Sequence, residues 1–215
     1  LYIFKNTEGT PENIRKFHPN IIVSSTGSAP LLPPIAGLKD RIDNEKHNIY
    51  SILGMISHIN DFPKDLEGKK VVVVGGGAVG LDVVEFFADR NADISIVEMM
   101  DQIGRDLDPV SKNDTKTMMK KHNVHQLTKT ALLEVKDSSF LVRGDGEPYE
   151  LPFEYGFVCL GMRAQGQLYQ NLTEEFSSED VEIMNIGDSQ RARRIIDGTQ
   201  EGRNILTILE QKGYL

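Results

Sequence analysis

The sequence predicts an α/β protein built on a parallel sheet, and three observations carry that prediction. Four valines, Val71-Val72-Val73-Val74, run directly into Gly75-Gly76-Gly77-Ala78-Val79-Gly80. An apolar pattern at helical spacing follows, with Val79, Val83, Phe86 and Phe87 on one side up to Arg90, and Asn91 as its expected end. A second β-branched run, Asp93-Ile94-Ser95-Ile96-Val97, then ends in the acid Glu98. Strand, glycine turn, helix, strand and acid in that order predict a Rossmann-like dinucleotide-binding three-layer fold, with a small antiparallel β-meander.

Each part of the glycine stretch has a physical reason. The valine run is short and β-branched, as expected of a strand buried on both faces. Gly75, Gly77 and Gly80 fill the three glycine places of G-x-G-x-x-G: the first for a tight turn, the second for backbone approach to a pyrophosphate, the third for close helix–strand packing. The phosphates would sit on free N–H groups at the positive end of the helix. Glu98 lies 23 positions after Gly75, close to the roughly 20 expected of an acid that accepts hydrogen bonds from a ribose. The other reading of Glu98 is a solvated carboxylate at a strand end. No Lys or Arg follows at once, since Met99, Met100, Asp101, Gln102 and Ile103 come next. A carboxylate there repels a 2′-phosphate, so NAD(H) is expected over NADP(H).

Composition sets the outer limits. The 215 residues suit one large or two small domains. A formal net charge of −8 argues against nucleic acid or an anionic membrane as a partner. No apolar run approaches the roughly 20 residues that span a bilayer, and the opening Leu1-Tyr2-Ile3-Phe4-Lys5 has no basic segment before an apolar one. A cytoplasmic location is expected, and the absence of an initiator Met suggests an excised piece of something longer. The single cysteine, Cys159, sits within Phe157-Val158-Cys159-Leu160 and reads as a small buried hydrophobe. One thiol makes no internal disulfide and no cysteine-ligated cluster, and the five histidines show no zinc-like grouping.

Taken in order, residues 1–30 read as strand, helix, strand. Leu1 to Phe4 is apolar, Thr10-Pro11-Glu12 opens a short helix with Thr as cap, and Ile21 to Ser25 is a strand running into Thr26-Gly27-Ser28. A Thr-Gly just past a strand serves equally as a phosphate or adenine contact and as a plain turn. Pro30, Pro33 and Pro34 hold the chain extended as it leaves one domain for another. Residues 40–48 read as a loop, and Tyr50 to Ile59 as a short amphipathic segment. Asp108-Pro109 caps a helix to about Lys121, and Val124 to Leu127 is a third strand. Ala131–Val135, Phe140–Val142 and Tyr149–Leu151 form the meander, with Asp145-Gly146 as a turn. Gly156 to Leu160 is a buried strand ending at Gly161. Val181 to Ile186 is a strand ending in Gly187-Asp188, and a helix runs from about Arg191 to Gln211 with Ile195, Thr199, Gly202, Ile205, Leu206 and Leu209 on one face. Gly198 and Gly202 there imply close approach to another backbone. Asp188 reads either as an acceptor for a ribityl or ribose hydroxyl or as the cap of this helix.

The order of these motifs resembles the two-dinucleotide-domain flavoprotein reductases. Pro19-Asn20-Ile21-Ile22-Val23-Ser24-Ser25-Thr26-Gly27-Ser28, the glycine fingerprint, Leu160-Gly161, Asn185-Ile186-Gly187-Asp188, Ile195-Ile196-Asp197-Gly198 and Glu201-Gly202 are most similar to the NADH:flavin oxidoreductases related to 2,4-dienoyl-CoA reductase and trimethylamine dehydrogenase. The resemblance implies that residues 65–163 are an NAD(H)-binding domain and that residues 1–64 with 164–215 are part of a FAD-type domain. The first domain's own glycine fingerprint, which the family carries just before position 1, is not in this sequence. In full-length members FAD, FMN and an iron–sulfur cluster carry the electrons, so the N-terminal flavin domains of the same polypeptide are implied as partners. The severed sheet surface also implies self-association. The candidate cofactor-binding residues are Gly75, Gly76, Gly77, Ala78, Val79, Gly80, Glu98, Met99 and Gly161 in the central domain, and Thr26, Gly27, Gly187 and Asp188 in the other. None is assigned a catalytic or metal-binding role. The expected function is to hold NADH for hydride transfer to FAD. The alternative is a non-catalytic module that binds ADP.

Overall fold

The computed structural model describes residues 1–214. The helices are α1 (Pro11–Arg15), α2 (Leu38–Arg41), α3 (Ile52–Ser57), α4 (Ala78–Ala88), α5 (Pro109–Lys121), α6 (Gln167–Glu175) and α7 (Ile195–Gln211). The strands are β1 (Ile21–Ser24), β2 (Ser28–Pro30), β3 (Ile49–Tyr50), β4 (Lys70–Val74), β5 (Asp93–Val97), β6 (His125–Leu127), β7 (Ala131–Val135), β8 (Ser139–Arg143), β9 (Tyr149–Pro152), β10 (Tyr155–Val158), β11 (Met162–Ala164) and β12 (Glu182–Asn185). They form two compact units. One is Pro30–Gly161; the other joins Leu1–Ala29 to the segment that begins at Met162.

The Pro30–Gly161 unit is a parallel sheet in the order β3-β10-β4-β5-β6. The pleat of β4 separates two cores. Val71 and Val73 face α4, where they pack with Val83, Val84, Phe87, Ile94, Ile96 and Phe157. Val72 and Val74 face the antiparallel β7-β8-β9 meander, where they pack with Val97, Val135, Phe140 and Val142. Helices, sheet and meander are the three predicted layers. Burying each of these side chains contributes about 1.5–3 kcal/mol. α5 starts where expected, because Asp108 accepts from the N–H groups of Val110 and Ser111 at 3.0 and 3.1 Å.

The boundary between the units differs from the expected 64/65 and 163/164. Residues 30–64 belong with the glycine-containing unit, because its cores need them. Leu38 and Ile49 are fully buried in the meander-side core, and Met55 and Phe62 are buried in the helix-side core. β3 adds a strand beside β10, and the Val135 N–H donates to the Ala36 carbonyl at 2.8 Å. Residues 40–48 are not wholly loop, since Leu38–Arg41 forms one helical turn; the burial of Leu38 holds it.

In the other unit, β1 and β12 pair in parallel and β2 pairs with β11. Ile22, Leu172 and Phe176 form its small core. Four expectations fail here. Leu1–Phe4 is not a strand but exposed irregular chain. α6 is an unexpected helix. α7 starts at Ile195 rather than Arg191, because the Asp197 carboxylate accepts from the Arg194 N–H at 3.1 Å and fixes the start there. Finally, of the face foreseen on α7 only Leu209 is buried, while Ile195 and Leu206 are exposed, since a two-stranded sheet has little surface to cover it.

Candidate nucleotide-binding site

The glycine loop leaves the carboxyl end of β4, the central strand. From there the chain continues through α4 to β5 on one side, while β10 lies on the other. Such a switch point at the carboxyl ends of parallel strands is where open α/β sheets bind ligands.

The three fingerprint glycines are glycine for different reasons. An ideal Cβ on Gly75 would lie 2.1 Å from the Cys159 carbonyl oxygen, and its φ of +109° is one that L-residues rarely adopt. A Cβ on Gly80 would lie 1.9 Å from the Gly75 carbonyl oxygen. The protein itself therefore requires glycine at both. Gly77 is different. It caps α4 with φ −78° and ψ −179°, which suit any residue, and an added Cβ would meet nothing within 4 Å. Neither backbone strain nor a steric clash demands glycine there; its favourable place as the cap of α4 and the room it leaves in front of the backbone are what the structure shows.

The amide groups divide in the same way. The Gly75 N–H donates to the Val97 carbonyl at 2.8 Å, and the Gly76 N–H to Glu98 Oε2 at 2.6 Å. The first N–H groups of α4, beyond its Gly77 cap, have no carbonyl partner within the helix. Gly77 and Ala78 are exposed at the positive end of the helix dipole, an arrangement suited to an anion.

Glu98 is neither a merely solvated carboxylate nor a free one. Its Oε2 takes the Gly76 N–H and its Oε1 takes the Met100 N–H at 2.7 Å. The Gly76 carbonyl in turn accepts from the Gly104 N–H at 2.7 Å. Sequence reasoning missed this brace from residues 98–104. Its one visible signal was Gly104, which takes a φ of +66°. Met99 projects beside Glu98 and is 68% exposed. Gly161 is exposed, has φ +102°, and follows the Cys159 carbonyl that abuts Gly75. Gly75 through Gly80, Glu98, Met99 and Gly161 thus gather at the carboxyl ends of β4, β5 and β10. Burial displaces a carboxyl just after the glycine loop and the thiol whose own carbonyl abuts Gly75. Burial pushes the Asp82 carboxyl on α4 above its usual range, and burial, with Asp82 nearby, pushes the Cys159 thiol up to about 12.

Thr26, Gly27, Gly187 and Asp188 come together in the other unit. The Thr26 hydroxyl donates to the Gln165 carbonyl at 2.6 Å, and Gly27 turns at φ +74°. The Asp188 carboxylate accepts from the Ser28 hydroxyl and the Arg193 N–H, both at 3.1 Å. It does not cap α7; Arg194 stands at that position. The Gly187 N–H donates to Glu201 at 2.6 Å, and Glu201 also pairs with Arg193. The Gly187 bond, then the Arg193 bond, hold the Glu201 carboxyl below the usual range. Gly198 passes close to Gly187, as the helix glycines implied, whereas Gly202 approaches nothing. Both oxygens of Asp188 and the Thr26 hydroxyl thus have protein partners. Among the described residues no cluster of His, Cys, Asp and Glu is placed to hold a metal, and no helix is long and apolar enough to cross a membrane.

Comparison with known proteins agrees with this fold. Residues 4–184 match the family model described as pyridine nucleotide-disulphide oxidoreductase. A metal reductase of Desulforamulus reducens is 26% identical, over 93% of this chain and 32% of that protein. An NADH oxidase of Thermoanaerobacter brockii is 26% identical, over 89% of this chain and 28% of that one. A solved 2-naphthoyl-CoA reductase shares the fold with a TM-score of 0.75 at 22% identity, over 92% of this chain and 28% of that one. The chain thus spans about a third or less of the length of these relatives. It is an α/β module of the FAD/NAD-binding Rossmann type, and it belongs to the pyridine nucleotide-disulphide oxidoreductase family.

Proposed function

We propose that this chain is the NADH-binding portion of a multidomain flavin-dependent oxidoreductase, of the kind related to 2,4-dienoyl-CoA reductase and trimethylamine dehydrogenase. Its role is to hold NADH so that a hydride passes to FAD. The open Cβ position of Gly77, in front of unpartnered amides at the sheet's switch point, carries this reading. The diphosphate lies against Gly77, Ala78 and Val79, and the adenosine ribose lies toward Glu98, with Met99 and Gly161 flanking it. The flavin supplies the redox chemistry when bound, and this chain supplies position and charge. The greater length of the relatives supports a larger parent protein, with flavin domains as the partners of this chain. Exposed Val23, Ile195, Ile196 and Leu206 make self-association of the isolated chain the expected behaviour.

Calorimetric titration with NADH, NADPH and ADP in one buffer tests this reading. NADH binding tighter than both others supports a nicotinamide subsite and an unphosphorylated ribose. Equal affinity for ADP and NADH reduces the site to an adenine-nucleotide module. Tighter binding of NADPH overturns the assignment of Glu98.

A further inference from the structure

The geometry points to a second role for Glu98, resting on the nucleotide-binding reading above: it is the positioning residue that tethers the phosphate-binding loop. Each carboxylate oxygen can accept more than one hydrogen bond, so Glu98 can hold backbone amides and still read ribose hydroxyls. Both oxygens of Glu98 are engaged by backbone amides, one in the loop after β4 and one in the loop after β5. These are charge-assisted bonds, stronger than neutral ones. Gly76 is clamped on both sides, its N–H by Glu98 and its carbonyl by the Gly104 N–H. A Cβ on Gly76 would lie 3.0 Å from Glu98 Oε2 and 3.1 Å from Ile103 Cγ1, so the two loops are in tight contact at this residue. With the Gly75 and Gly76 amides bound within the protein, the next amides in the chain, from Gly77 on, are left for the diphosphate. Glu98 therefore acts on the phosphates through Gly76, without touching them.

This role differs from ribose reading in the sign of one effect. Neutralising a carboxylate near a diphosphate removes repulsion and, taken alone, tightens binding. Cutting a tether loosens it. In Glu98→Gln, one end of the amide is an NH2 that cannot accept, so one of the two tethers is lost with little change in shape. The probe is 2′,3′-dideoxy-ADP, which has no ribose hydroxyls for Glu98 to read, titrated into the 215-residue chain beside ADP. A roughly tenfold weaker affinity for the dideoxy ligand in Glu98→Gln, in protein that still melts cooperatively, is the expected result, matching the loss of one charge-assisted bond. Unchanged or tighter binding of the dideoxy ligand overturns the tether while leaving the nucleotide site standing. If the wild-type chain binds neither ligand, the nucleotide reading fails and the tether with it. Amide hydrogen exchange on the free wild-type chain needs no variant. Gly76 and Met100 are expected to exchange at least tenfold more slowly than Gly77 and Ala78, and equal rates in all four overturn the inference.

Discussion

Replacing Gly77 by alanine separates binding from folding. The backbone at Gly77 already has dihedrals that alanine adopts, and its Cβ would enter open space. Alanine is a poorer cap than glycine by roughly 0.5–1 kcal/mol. Restricting the unfolded chain returns about 0.4–1 kcal/mol. The two nearly offset, so the melting temperature of Gly77→Ala is expected to stay within about 4 °C of wild type. Binding responds differently. A phosphate oxygen must come within about 2.9 Å of these amides, and the new methyl group occupies that space. Losing two charge-assisted bonds of roughly 1.5–3 kcal/mol each weakens ADP by about a hundredfold or more. Calorimetry beside thermal melting reads both quantities. A folded Gly77→Ala chain that binds ADP with wild-type affinity would refute the assignment of this loop to a diphosphate.

Gly80→Ala places its Cβ within 2 Å of a carbonyl oxygen and is expected to lower stability by about 1–3 kcal/mol or more, seen as a depressed melting temperature before any ligand is added. The raised Cys159 thiol, pushed up to about 12, is expected to resist thiol reagents at pH 8 in the folded chain and to react on unfolding; rapid labelling of native protein would contradict its burial. Because burial raises the Asp82 carboxyl, the folded state holds the proton more tightly than the unfolded state. Stability is therefore lost as pH rises from the unfolded value through the folded one. Asp82→Asn should then match wild type in melting near pH 3 and exceed it at pH 7, and a gap that closes with rising pH would reverse the sign. A fragment of residues 30–161 is expected to melt cooperatively, whereas residues 65–163 lack Leu38, Ile49, Met55 and Phe62 and are expected to be largely unfolded by circular dichroism.

The two units were unequally legible in the sequence. In the Pro30–Gly161 unit the signals are local. The Val71–Val74 run, the glycines, the Asp108 cap and the Asp145-Gly146 turn each declare themselves within a few residues, and the structure places them where expected. The boundary was not legible, because Leu38, Ile49 and Phe62 are scattered among polar residues, and only the assembled sheet shows that its cores need them. The other unit depends on pairing across long separations. Ile22 stands opposite Ile183, and no short window connects them. α6 escaped notice because Leu168, Leu172 and Phe176 are spaced along a polar stretch. Leu1–Phe4 was misread because an apolar run alone does not supply a neighbouring strand. At the site, the glycines and Glu98 were legible as residues. The hold of Glu98 on Gly76 and Met100 was not, because two side-chain oxygens finding two amides is a matter of geometry rather than of spacing.

Amide hydrogen exchange of the chain with and without saturating NADH tests the dinucleotide site most directly. The expected result is slowed exchange confined to the segments around Gly75–Gly80 and Glu98–Met100, with the amides from Gly77 to Val79 changing most. Unchanged exchange in those segments, or protection that appears only elsewhere, would contradict a dinucleotide site at the glycine loop.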